Sequence, residues 1–278
     1  MGRWFANFLV KEGQEVIITG RNQNKLLEAK HELGVEVATN AEAVKGADVV
    51  LLSVPIDNFA EVVEHICPYT HPEQVIVDIT SVKAFAVETM HKHIKTGLVL
   101  GVHPLFGPGA NGVDNQNFVL TPTNDSEETI ANKIKKYLEV RGARVTLMNP
   151  QEHDEMMAVI LGLSHFITLV AADTLLSFGK LEQMEAIGGT TYKVLLTLIV
   201  SVISEDPELY ASLQMRLTNM AGIEELFQKR AETWADLVRN KDQQKFVEKM
   251  NIVRNGFEKN SLDLGKAYEN MYKLVDKL

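Results

Sequence analysis

Cysteine is almost absent: the 278 residues hold one, Cys67. A lone thiol closes no internal disulfide, which fits a reducing cytoplasm. With no His pair at ligand spacing beside it, a structural zinc site is excluded as well. Long apolar runs are also lacking. The most apolar stretch, residues 194–203, is broken by Thr197 and Ser201 and falls short of the roughly 18 residues a membrane span needs. Met1 is followed at once by Gly2, Arg3 and Trp4, so no secretory leader is read. Positive charge is in deficit, with a formal net charge of -9, which argues against nucleic-acid binding through a basic surface. An acidic small substrate remains open, because a few cations focused in a cleft outweigh a diffuse negative surface. A local cationic pocket is then expected.

What is present is a change of period. Up to residue 149 helical and strand patterns alternate, the sign of βαβ units and a parallel sheet. Helices are expected at 4–11, 24–33, 41–45, 59–66, 84–93 and 127–141, and strands at 15–19, 35–38, 48–54, 75–78, 98–102, 117–121 and 144–147. After Pro150 only helical spacing appears, at 153–178, 192–203, 208–217, 224–240 and 243–262. The pattern predicts an α/β domain over 1–149, a Rossmann-like parallel sheet, and an all-α domain over 150–278, divided at Asn149-Pro150.

The first helix and strand look like the second half of a dinucleotide-binding βαβ unit. Such a unit opens with a strand and G-x-G-x-x-G, which sets a pyrophosphate on a helix N-terminus. Here Gly2 reads as the third glycine, and the first strand and the two other glycines are missing. The expected consequences are two exposed strand edges and poor cofactor affinity. At the end of the second strand a carboxylate is lacking too: Gly20-Arg21-Asn22 stands where an NAD site places Asp or Glu for the ribose hydroxyl. Arg21 suits a 2′-phosphate, so NADP is favoured over NAD.

Three strand ends converge on one sheet edge: Ser53-Val54-Pro55, Thr80-Ser81-Val82-Lys83 and His103-Pro104. Ligands of open α/β sheets bind outside the carboxyl ends of strands, so a nicotinamide is expected there. A neutral imidazole at His103 has the chemistry to accept a hydroxyl proton while the carbon beneath loses hydride, with Ser81 as its expected hydrogen-bond partner. The weaker reading makes His103 a structural histidine after a strand.

The segments D-I-T-S-V-K (78–83), V-H-P-L-F-G-P (102–108), E-H-D (152–154), S-H-F (164–166) and D-P-E-L-Y-A (206–211) occur in that order. Together they resemble the prephenate dehydrogenase family, particularly its archaeal members and the dehydrogenase part of the bifunctional chorismate mutase enzymes. The resemblance spans nearly the whole chain. It implies an N-terminal dinucleotide domain and a helical domain that makes a homodimer. It also implies oxidative decarboxylation of prephenate to 4-hydroxyphenylpyruvate, a step of tyrosine biosynthesis. By motif, His103 matches the base, Ser81 the serine that orients it near the nicotinamide, and His165 a substrate-facing histidine. Some relatives carry an Arg just after the aromatic residue of the D-P-x-x-Y/W segment. Here Tyr210 is followed by Ala211, which leaves Arg216 or Lys83 as the cation for a substrate carboxylate and Gln214 as a neutral contact. His153 is read as a brace at the domain junction as readily as a ligand contact.

Three other readings compete. Arogenate dehydrogenase differs only in an amino group on the substrate side chain. A β-hydroxyacid or imine reductase shares the architecture but lacks the H-P-x-F-G-P segment. A dimeric nucleotide-binding remnant without catalysis would fit the missing glycine loop.

Overall fold

Short β-branched runs bounded by turns build the strands of the first half, and the computed structural model, which describes residues 1–260 and 263–277, shows where they go. Its elements are α1 (Gly2–Lys11), β1 (Ile17–Ile18), α2 (Gln23–Leu33), β2 (Glu36–Val37), α3 (Asn40–Gly46), β3 (Val49–Leu52), α4 (Phe59–Ile66), β4 (Val75–Asp78), α5 (Ala84–His93), β5 (Leu98–Pro104), β6 (Asn117–Thr121), α6 (Asp125–Glu139), β7 (Arg144–Leu147) and α7 (Pro150–Met157). The five-stranded sheet runs β3-β4-β5-β6-β7, and β1 pairs in parallel only with β2. Two separate sheets therefore stand where the sequence predicts one, and β3 is an edge strand.

The sheet is parallel except at β5 and β6, which run antiparallel with His103 opposite Val119. Residues 105–116 between them hold no helix. A parallel return needs a crossover, usually helical, so this connection turns the chain back instead.

Both faces of the sheet are covered. Ile76 and Val99 pack with Phe59, Val63 and Met90 of α4 and α5, while Val77 and Leu100 pack with Phe118, Ala131 and Leu138 on the other side. Successive strand residues thus feed opposite cores, which explains why β3 to β5 read as continuous apolar runs.

The compact units are Met1–Met157 and Ala158–Leu278. The division falls eight residues after the sequence break at Asn149-Pro150, since α7 keeps with the first unit. Asn149-Pro150 is a helix start: the Asn149 side chain accepts from the Glu152 N–H at 2.8 Å, and Pro150 occupies the first turn.

The second unit is helical. A π-helical stretch, Ala158–Leu163, runs into α8 (Ser164–Leu176), followed by α9 (Leu181–Ile187), α10 (Thr190–Ile203), α11 (Pro207–Arg216), α12 (Met220–Arg239), α13 (Gln243–Lys259) and α14 (Ala267–Val275). The long helix expected at 153–178 is therefore interrupted by a π segment, and α9 and α14 add to the helices the sequence predicts. The end of the helix expected at 243–262 lies partly outside the described residues. Ala158, Ala172, Ile199, Val202, Leu213, Leu217 and Met220 are the buried apolar residues among the unit's described residues.

One helix meets the length and composition of a membrane span, a test that the core helix of a soluble protein also passes. The run Pro150–Leu176 is long and apolar enough to cross a membrane by length and composition, with only 17% of its apolar window buried. A count of uninterrupted apolar runs passes over it, because His165 and Asp173 fall inside the window.

Candidate active site

β3, β4 and β5 are adjacent and in register, with Leu52 opposite Asp78 and Asp78 opposite Gly101. The segments after them, which carry Ser53, Thr80, Ser81 and His103, therefore reach one edge together. The N-terminus of α1 lies there too, because a Cβ on Gly2 would meet Ser53 Oγ at 3.1 Å. Gly2 is thus packed closely against Ser53. The first turn of α1 holds no acidic residue and Met1 provides no side-chain cap, so its N–H groups suit an anion such as a pyrophosphate.

His103 is 4% exposed. Its Nδ1 lies 2.8 Å from Nε2 of His153, whose Nδ1 lies 2.7 Å from Asp154 Oδ1. Asp154 in turn accepts the backbone N–H groups of Lys83 at 2.8 Å and Ala84 at 2.9 Å. Burial pushes the His103 imidazole well below its usual titration range, and the Lys83 ammonium pushes it the same way. It is a neutral imidazole at neutral pH, suited to accept a proton.

Several predicted site residues have different roles from those expected. The hydrogen-bonding partner of His103 is His153, whereas Ser81, half-buried on the same edge, makes no hydrogen bond among the described residues. Lys83 is fully buried: its Nζ pairs with the Asp78 carboxylate and donates to Val102 O at 2.9 Å. It is committed to the interior and is not the cation for a substrate carboxylate. Thr80 Oγ1 donates to Val82 O, and Asn22 caps α2 by accepting from the Lys25 N–H. Both side chains brace turns at the places where cofactor contacts were expected. Val54 and Pro55 continue the edge beyond β3, and Arg21 is exposed, 3.4 Å from Asn58 Oδ1.

In the second unit His165, Tyr210 and Gln214 cluster around the π segment. The His165 and Tyr210 rings meet edge to face at 4.7 Å. Gln214 Nε2 donates to Gly162 O at 2.9 Å, while Gln214 Oε1 and His165 Nδ1 are buried without a partner among the described residues. Burial lowers the titration of His165 and raises that of Tyr210, which Glu205 raises further. Arg216 is exposed in the last turn of α11.

His153 and Asp154 are the residues of the candidate site that sequence reasoning underrated. The E-H-D segment was visible, but an adjacent His-Asp pair at a helix start does not say which histidine it will meet. The signal available was the Asn149-Pro150 helix start, which makes His153 and Asp154 the fourth and fifth residues of α7.

Residues 5–147 match the family model for the prephenate dehydrogenase nucleotide-binding domain, and residues 149–252 that for the prephenate dehydrogenase dimerization domain. The chain is similar to a probable arogenate/prephenate dehydrogenase of Methanocaldococcus jannaschii, 33% identical over 92% of this chain and 58% of that protein. It is also similar to the T-protein of Haemophilus influenzae, 29% identical over 92% of this chain and 64% of that one. The chain spans about three fifths of the length of these curated relatives. Among solved structures it resembles prephenate dehydrogenase from A. aeolicus in complex with hydroxyphenyl propionate and NAD+, with a TM-score of 0.77 at 22% identity, covering 93% of this chain and 94% of that one. Arogenate dehydrogenase from Synechocystis follows with a TM-score of 0.70 at 19% identity over 93% and 96%. At these identities the likeness to the solved structures shows the fold.

Proposed function

Because the chain belongs to the prephenate dehydrogenase family, we propose that it oxidatively decarboxylates prephenate to 4-hydroxyphenylpyruvate, using a nicotinamide nucleotide. The observation that carries this reading is a buried, neutral His103 at the edge where β3, β4 and β5 end. The nucleotide would lie against Gly2, Ser53 and Ser81, and supplies the hydride acceptor when bound. His103 takes the proton of the ring hydroxyl as that carbon is oxidised. The bond to the ring carboxylate breaks, carbon dioxide leaves, and its electron pair completes the aromatic ring. His103 then returns the proton to the phenolic oxygen, so no net proton is released. Orientation and a base are what the protein has to contribute.

NADP is the preferred nucleotide in this reading, because Arg21 is exposed after β1 in a Gly20-Arg21-Asn22 segment that carries no acidic residue of its own to repel a 2′-phosphate. Arogenate is the second substrate to test. Gln214 Oε1 is a buried acceptor without a partner among the described residues, which favours a side chain carrying an ammonium group. A homodimer is the functional form, since the apolar run from Pro150 to Leu176 is mostly unburied in one chain. A single cysteine suits work in the reducing cytoplasm.

The test follows reduced nicotinamide by absorbance, with prephenate or arogenate and each nucleotide. His103→Asn should lower turnover by about 100-fold or more while substrate still binds. Full turnover in that variant would overturn the assignment of the base. Arg21→Ala should weaken NADP binding roughly tenfold and leave NAD binding unchanged, as expected for losing one hydrogen bond to a charged group.

A further inference from the structure

We infer that His153 and Asp154 are positioning residues that fix the tautomer of His103, holding a proton on Nδ1 and leaving Nε2 bare. The consequence for catalysis rests on the reaction proposed above, but the tautomer itself does not.

Hydrogen-bonding capacity decides the direction of the chain. Each Asp154 oxygen already accepts a backbone N–H, one from Lys83 and one from Ala84, at the start of α5. A carboxylate held by donors on both oxygens only accepts, so the hydrogen in its contact with His153 sits on His153 Nδ1. With His153 as a neutral ring, fully enclosed, only one of its two nitrogens carries a hydrogen. A neutral ring with its proton on Nδ1 has a lone pair on Nε2, and that nitrogen faces His103 Nδ1 at 2.8 Å. His103 must donate there. Its remaining nitrogen, Nε2, is then the lone pair available as a base.

The arrangement follows the logic of a catalytic triad, in which a base is oriented by a second group that a buried carboxylate holds. The opposite tautomer would present an N–H to the substrate hydroxyl and leave no base. Asp154 ties the chain to α5 through backbone groups, so no flexible side chain has to be ordered to keep it. It also gives α7 a reason to stay with the first unit rather than the helical one.

The test is nitrogen-15 NMR of histidine-labelled full-length chain at neutral pH, without substrate or nucleotide, with His103→Asn to assign the resonances. The expected result is a protonated Nδ1 and a bare Nε2 on His103. His153→Gln keeps an acceptor for His103 and a donor for Asp154, and should preserve both the tautomer and most of the turnover. His153→Met removes the acceptor. It should mix or reverse the tautomer and lower kcat by about 100-fold, with KM little changed. A proton on Nε2 in the native chain overturns the inference, and that reading does not depend on any variant folding. An unchanged tautomer and rate in His153→Met would overturn it as well. A chain that shows the expected tautomer but turns over neither prephenate nor arogenate supports the inference and counts against the proposed reaction.

Discussion

Burying His103 has a consequence for stability as well as for chemistry. Its titration in the folded chain lies well below the ordinary value of 6.5, whereas the unfolded chain binds the proton near that value. Between the two pH values the unfolded state holds more protons, so stability is fully present above pH 6.5 and declines as the pH falls below it. His165 is lowered in the same direction. Urea denaturation from pH 8 to pH 5 should show the midpoint falling below about 6.5, and falling less in His103→Asn. Parallel declines in the two proteins would remove His103 as a source of the effect. The same shift keeps the base deprotonated, so the acid limb of kcat/KM should lie below 6.5.

Lys83 shows how a residue chosen for its charge can be spent on the fold. Its ammonium is sealed with the Asp78 carboxylate at zero exposure. Removing one member of such a pair strands the other charge, so Lys83→Met should cost about 3–5 kcal/mol in urea denaturation. Replacing both in Asp78→Leu/Lys83→Met should recover much of that loss. A single variant as stable as the native chain would show that the pair contributes nothing. In sequence, Lys83 was one of two cations near a candidate site. Nothing local reveals that its side chain runs back under β4 and β5.

Among the elements, β5 is the one that carries His103, the proposed base, and its packing around Gly101 is tight. A Cβ on Gly101 would clash with Thr121 Oγ1 and meet Val87 Cγ2 at 2.8 Å and Lys83 Cδ at 3.2 Å. Gly101→Ala should therefore destabilise the chain by about 1–3 kcal/mol, as overpacking does, measured by the same denaturation. Most strands and helices of this half were legible because apolar alternation and turn residues are local properties. The antiparallel turn into β6 was not, since strand direction depends on how a connection of 12 residues, 105–116, folds back. The π stretch at Ala158–Leu163 was also invisible. Its residues keep a helical apolar pattern, and only the hydrogen-bond register distinguishes it.

For the whole molecule, the main open surface is apolar and belongs to the second unit. Leu176 is 61% exposed and Ile203 54% exposed, on a stretch matching a dimerization-domain family model. Sedimentation of the purified chain should give a dimer, and the double variant Leu176→Glu/Ile203→Glu should shift it to monomer. A native chain that sediments as a monomer at micromolar concentration would sink the dimer proposal. Net charge acts at this scale too. At -9 overall, and with Lys83 paired to Asp78, attraction of the proposed acidic substrate falls to cations other than Lys83.

Composition, periodicity and motif order were enough to set the two-part architecture, the edge where β3 to β5 end, and His103 as the candidate base. Each of these depends on residues close together in the chain. Which group His103 bonds to emerged with the folded chain alone, because His153 lies 50 residues away and arrives on a helix whose start looked like a domain break. The same holds for Lys83 and for the separation of β1 and β2 from the main sheet. Hydrogen-bond and ion-pair partners are chosen by where distant segments return. The sequence supplies the donors and acceptors, and the fold pairs them.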